Sequence, residues 1–343
     1  MINYSRIISP IFMQSLEVGI LNPILLMVKE NDTLMLSIRE QYINIYYRGG
    51  SLLRVSAHSE PTEASPDANA TYVVDFDQNY NNDNRPLPID FPYTISNEDE
   101  SLRLVDAVPI LKHAIDRFLT ASNKPEREFQ QLVARENNYS MISSDTDYFI
   151  IDIEISGALA KARYDMLAVR WLDNTKGKSG KVVPVLLEMK YGIGALGGTS
   201  GLNKHLTDAY ALKKSPDSWN AVVSTLQSQI SQLDQLGLLK FNRGKNNPNM
   251  RIDRFATPQL VFLLANYNPA SKQLHEFLAS IDESAAADSG FDLRFFASCF
   301  AGFGMHRESM LNLSEFKVEV SRLHNLAIAK AIPIEKPITS IVA

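Results

Sequence analysis

The strongest constraint on this chain is a set of apolar runs, some of which carry charge where an apolar side chain would be expected. Residues 182–189 read VVPVLLEM and lead into Lys190, so Glu188 and Lys190 close an otherwise apolar strand. Residues 163–171 (RYDMLAVRW) place Asp165 among apolar neighbours, and 148–155 (YFIIDIEI) and 259–266 (QLVFLLAN) read as further strands. The last holds an unbroken apolar run, 260–265, as a buried central strand should. Apolar spacing predicts a helix over 125–137, with Pro125 in its first turn and Phe129, Leu132 and Val133 on its buried side. Helices are also predicted over 202–212 and 218–236. From 125 to 266 the order is therefore helix, three strands, helices, strand.

Elsewhere the pattern is less regular. Residues 33–47 and 51–57 read as strands joined at Arg48-Gly49-Gly50, and 71–76 as another strand. Turn-rich acidic stretches at 59–70 and 78–92 surround them. A helical spacing begins at 108, with Ile110, Leu111, Ala114, Ile115, Phe118 and Leu119 in phase. Residues 270–330 are mostly helical by pattern, and no internal repeat is present. The expected organisation is an acidic, β-rich N-terminal domain (1–105), a mixed α/β core (106–268) and a helical C-terminal extension (269–343).

Composition excludes several classes. The 343 residues are 45% hydrophobic and 21% charged with 16 Gly and 16 Pro, which does not fit a disordered or collagen-like chain. No apolar run approaches the roughly 18 residues of a membrane helix; the longest, 19–28, is broken by Asn22 and Pro23. The first residues lack the order of a signal peptide. The lone Cys299 cannot form an internal disulfide, and six scattered histidines lack zinc-ligand spacing. The expectation is a soluble, cytoplasmic protein with no membrane partner. Charge is uneven: residues 1–110 hold 15 Asp/Glu against 7 Lys/Arg, and 161–254 hold 15 Lys/Arg against 7 Asp/Glu. A net of +8 in the second segment suits a polyanion, although solvated faces can differ by as much for no functional reason.

The chemistry concentrates on Asp165, Glu188 and Lys190. Residues two apart on a strand face the same side, so Glu188 and Lys190 can enter one site. A carboxylate placed among apolar neighbours needs a partner, and a divalent cation is one of few. Mg²⁺, or Mn²⁺, is commonly held by one or two carboxylates plus water and phosphate oxygens. Lys190 could orient or deprotonate water, or stabilise transition-state charge. The plainer reading of the same residues is a buried ion pair without catalysis.

Asp165, Glu188 and Lys190, within this order of elements, resemble the PD-(D/E)XK nuclease superfamily, with Tyr164 standing where the motif has proline. The resemblance covers about 125–266 and implies a restriction-endonuclease-like mixed sheet flanked by helices. It implies metal-dependent phosphodiester hydrolysis, foremost of DNA, with Asp165 and Glu188 as metal ligands and Lys190 catalytic. The stretch Pro125-Glu126-Arg127-Glu128-Phe129 is similar to the opening of archaeal Holliday-junction resolvases, which assigns Glu126 as the helix carboxylate and leaves Glu128 as its substitute. Homodimerisation stays open. The alternative is a non-catalytic nucleic-acid-binding or regulatory protein on the same fold.

A literal G-x-G-x-x-G begins at Gly192, but the acidic residue about twenty positions on, Asp217, opens a helix rather than ending a strand. The loop 192–201 reads better as a flexible border of the site than as a nucleotide cradle. Lys204 and His205 at the next helix start are candidates for phosphate contact. Lys176, Lys178, Lys181, Arg243 and Lys245 are the expected contacts to nucleic acid.

Overall fold

The computed structural model describes residues 6–61, 69–80, 89–122, 124–140, 143, 145–155, 164–172, 180–192, 201–240, 249–266, 271–282, 284, 286, 288–297, 305 and 310–331. Ser9 accepts from the Phe12 N–H at 2.9 Å and Pro10 takes the first turn, which starts α1 (Pro10–Glu17). α2 (Asn22–Glu30) follows, and Phe12, Leu16, Ile24 and Leu25 join the main core. The β-rich reading of this region missed both helices, which are too short for their periodicity to stand out. Among the described residues no single helix is long and apolar enough to cross a membrane; α1 and α2 are apolar together but bent by 64°.

A five-stranded antiparallel sheet comes next, in the order β1 (Leu34–Arg39), β2 (Tyr42–Tyr47), β3 (Gly50–Ser59), β4 (Thr71–Asp75) and β5 (Thr94–Ile95). The run 33–47, expected as one strand, is folded into two at Gln41, whose φ is +59°. Arg48 and Gly49 form the expected second turn with φ of +50° and +73°, the pair of positive values that a two-residue hairpin favours. A Cβ on Gly49 would lie 2.1 Å from the Arg127 carbonyl oxygen, so the turn is pressed against the helix that follows.

α3 (Glu98–Ala121) is capped by the Asn97 side chain, which accepts from the Glu100 N–H at 3.0 Å. It runs unbroken past residue 105, so the expected domain boundary falls inside a helix. α4 (Pro125–Asn138) begins with Pro125 as expected. Its buried side is more polar than predicted: Val133 and Ala134 are joined by Gln130, Gln131, Asn137 and Asn138, while Phe129 and Leu132 are half-buried. These polar groups are used. Gln131 accepts from the Gly49 N–H at 2.6 Å, and Asn138 accepts from the Ile150 N–H at 2.8 Å.

The second sheet contains the predicted strands, as β6 (Tyr148–Ile155), β7 (Tyr164–Trp171), β8 (Lys181–Tyr191) and β10 (Gln259–Ala265), plus the short β9 (Arg251–Ile252). β6, β7 and β8 are antiparallel neighbours, and β10 lies parallel to β8. The crossover from β8 to β10 passes through α5 (Leu202–Lys214) and α6 (Pro216–Gln235). The C-terminal segment is not wholly helical as expected. After α7 (Lys272–Ser280) it contributes β11 (Asp292–Ala297), parallel to β10, before α8 (Leu313–Ala331). The sheet order is β11-β10-β8-β7-β6, so a core ending at 268 would lose one of its strands. One sheet face packs Ile150, Met166 and Leu187 with Val133 and Ala134 of α4. The other places Leu167, Leu186, Leu260 and Phe262 in a core shared with α5, α6 and α7.

Asp152, fully buried on β6, joins the two sheets. It is paired with Arg6 and with Arg39 of β1, and accepts from Gln229 of α6 at 2.7 Å. Arg39 also donates to the Tyr46 hydroxyl at 2.9 Å and the Ile153 carbonyl at 2.7 Å. Burial alone would raise the carboxyl, but the Arg39 and Arg6 guanidiniums and the hydrogen bonds from Arg39 and Gln229 outweigh it and hold Asp152 below the ordinary carboxylate range.

Candidate active site

The pairing of β7 with β8 ends at Met166 opposite Leu187, which makes Asp165 and Glu188 the next residues outward on neighbouring strands. Asp165 Oδ2 accepts from the Met189 N–H at 2.8 Å, fixing the side chain across the strand pair. Glu188 and Lys190, two and four residues beyond Leu186, share its face of the sheet. That face is covered by α5, whose first turn brings His205 alongside.

Glu188 is 1% exposed. Its Oε1 lies 2.5 Å from Lys190 Nζ and 2.8 Å from His205 Nε2. The histidine contact is close but off the line of a hydrogen bond, and neither ring nitrogen has a hydrogen-bond partner. The other carboxylate oxygen, Oε2, is buried with no partner at all, as is the Tyr164 hydroxyl. The Tyr164 and His205 rings lie 6.5 Å apart.

The electrostatics follow from this crowding. Burial first, then the neighbouring charge of Glu188, push Asp165 up to about 7, with the Met189 N–H and Lys190 opposing. Burial alone would lower Lys190, but the charges of Glu188, Asp165 and Glu126 prevail and hold it above its ordinary value. Lys190 is thus an ammonium, which supplies positive charge and hydrogen bonds rather than accepting a proton. Tyr164 is raised by burial and by the charges of Asp208 and Glu188.

Helix phase alone leaves Glu126 and Glu128 equivalent, and the structure separates them. Arg48 Nε donates to Glu128 Oε1 at 2.7 Å and its Nη1 to Asp116 Oδ1 at 2.8 Å, so Glu128 belongs to the contact between the hairpin turn and α4. Glu126 is half-buried, and its charge reaches both Asp165 and Lys190. The Phe129 and Tyr191 rings, 4.8 Å apart, tie this end of α4 to the end of β8.

No family model, curated protein or solved structure matches the chain. Among the described residues no three His, Cys, Asp or Glu side chains converge as a complete protein cage for a metal. Two carboxylates do stand opposite each other on adjacent strands, one with a buried free oxygen. That donor set fits Mg²⁺ or Mn²⁺, which take carboxylate oxygens and fill the remaining positions with water and substrate oxygens.

The other candidates divide. Lys204 is exposed and paired with Asp208 one turn along α5, so its charge is partly met within the helix. Asp217 lies in the first turn of α6 and ends no strand, unlike the acidic residue of a dinucleotide fingerprint. Gly192 is described, with φ of +71°, while 193–200 lie outside the described residues. Lys176, Lys178, Arg243, Lys245 and Cys299 also lie outside them. Lys181 is exposed at the opposite end of β8 from Lys190, beside Arg251 of β9. Seven residues of strand separate it from Glu188, about 23 Å at roughly 3.3 Å per residue. Lys181 therefore cannot touch a phosphate held at Asp165 and Glu188. The contact between His205 and Glu188 was not legible in the sequence, where His205 stood out only as a helix-start residue.

Proposed function

We propose that this chain is a metal-dependent nuclease of the PD-(D/E)XK type that hydrolyses phosphodiester bonds, with DNA as its substrate. The observation that carries the reading is the unpartnered, buried Glu188 Oε2 beside Asp165 on adjacent strands, with Lys190 on the same face. A buried acceptor left without hydrogen or cation is destabilising by about 1–3 kcal/mol, which a folded protein tolerates chiefly where a ligand will use it.

Asp165 and Glu188 would hold Mg²⁺ or Mn²⁺, and Glu126 adds negative charge that favours a cation there. Bound at this place, the ion supplies positive charge where negative charge builds on the phosphate and lowers the pKa of water. Lys190, held as an ammonium by Glu188, orients the attacking water or neutralises a phosphate oxygen. The mixed sheet, with a parallel strand beside an antiparallel trio, supports the restriction-endonuclease-like assignment.

Incubation with supercoiled, linear, branched and single-stranded DNA, with Mg²⁺, Mn²⁺ or chelator, tests the proposal. Metal-dependent cleavage is expected, reduced by about two orders of magnitude or more in Asp165→Ala and Lys190→Ala. Absence of cleavage across the panel, together with absence of Mn²⁺ binding by calorimetry, would overturn it.

A further inference from the structure

His205 is not part of the Asp…Glu-x-Lys pattern, yet it reaches Glu188 from outside β8. Three features converge on it. Its Nε2 lies 2.8 Å from Glu188 Oε1, the oxygen also held by Lys190 at 2.5 Å. Its two ring nitrogens are buried without hydrogen-bond partners. The carboxylate oxygen on the far side, Oε2, has no partner either.

A carboxylate on a flexible side chain can rotate to exchange its oxygens. Here Lys190 approaches Oε1 from the same strand and His205 approaches it from α5, so rotation would break two contacts at once. We propose that His205 is a positioning residue: it pins Oε1 so that Oε2 alone is presented to the divalent cation. Contacts that orient metal ligands commonly change metal affinity by 10–100-fold when removed. A catalytic contact in a ligand-free site is often poorly aligned until a ligand tightens it, as this ring is. The same contact ties α5 to the metal site, because α5 reaches Glu188 through this imidazole. The inference rests on the nuclease reading above.

Two variants separate ring packing from the nitrogen. His205→Phe keeps a ring against Tyr164 without an N–H, and His205→Gln restores an N–H donor of similar reach. Titration calorimetry with Mn²⁺ alone on wild type, both variants and Glu188→Gln gives the answer without measuring turnover. The expected order is wild-type affinity at the top, His205→Gln within about 3-fold, and His205→Phe weaker by about 10-fold or more. Glu188→Gln should bind weakest. Wild-type affinity in His205→Phe, or a His205→Gln no better than His205→Phe, overturns this role while leaving the nuclease reading intact. A wild-type chain that binds no Mn²⁺ overturns both.

Discussion

At the scale of single residues, the site is built from groups that oppose folding when no cation is present. Asp165 and Glu188 are like charges on adjacent strands, with Lys190 paired to Glu188 as their counter-charge. Asp165→Asn keeps the acceptor for the Met189 N–H and removes one of the two charges. The metal-free variant should therefore be more stable than wild type at pH 8, by about 1–2 kcal/mol after allowance for solvent screening. Thermal melts in chelator check this: a melting temperature a few degrees above wild type is expected, together with loss of cleavage. Asp165, Glu188 and Lys190 were legible in the sequence because a charge at the end of an apolar run is rare and local. His205 was not, because its partner lies 17 positions away and meets it only once α5 folds back on the sheet.

At the scale of elements, four strands and the helices between them were legible for a simple reason. Long apolar runs record their own burial. The elements that were missed lack such a record. Gln41 adopts a positive φ without being glycine, so nothing marked the break between β1 and β2. β11, read as helix, has only six residues, and its pairing partner β10 lies some thirty positions upstream. The turn at Arg48-Gly49 was legible, but not its purpose, which is to seat α4. Gly49→Ala places a Cβ both at positive φ and against the Arg127 backbone, so a loss of about 2 kcal/mol or more is expected. Gly192→Ala shares the positive φ with nothing within 4 Å of the added carbon, and should lose only about 1 kcal/mol. Denaturant melts of the two variants side by side distinguish seating of the helix from backbone strain alone; equal losses would remove the seating argument.

At the scale of the whole molecule, Asp152 decides whether the chain behaves as one body. Its partners lie 146, 113 and 77 positions away in sequence, which is why no local pattern announced it. Asp152→Asn leaves Arg6 and Arg39 buried against a neutral group, and removing one member of such a set typically destabilises by about 3–5 kcal/mol. The pH dependence follows from the lowered carboxyl. The folded protein holds Asp152 below its unfolded value of about 3.9, so its contribution is complete above that pH and is lost as pH falls through the folded value. Stability measured from pH 6 down to pH 2 should show this loss in wild type and lack it in Asp152→Asn, with a single unfolding transition at neutral pH. Under the proposed nuclease function, the separation of Lys181 from Glu188 along β8 has a consequence for a duplex laid along the strand. At about 3.4 Å per base-pair step, a span of about 23 Å is roughly seven steps, some two-thirds of a helical turn. Phosphates gripped beside β9 would then lie well round the duplex from a bond placed at the carboxylates, so the two ends of β8 would meet different sides of the same turn.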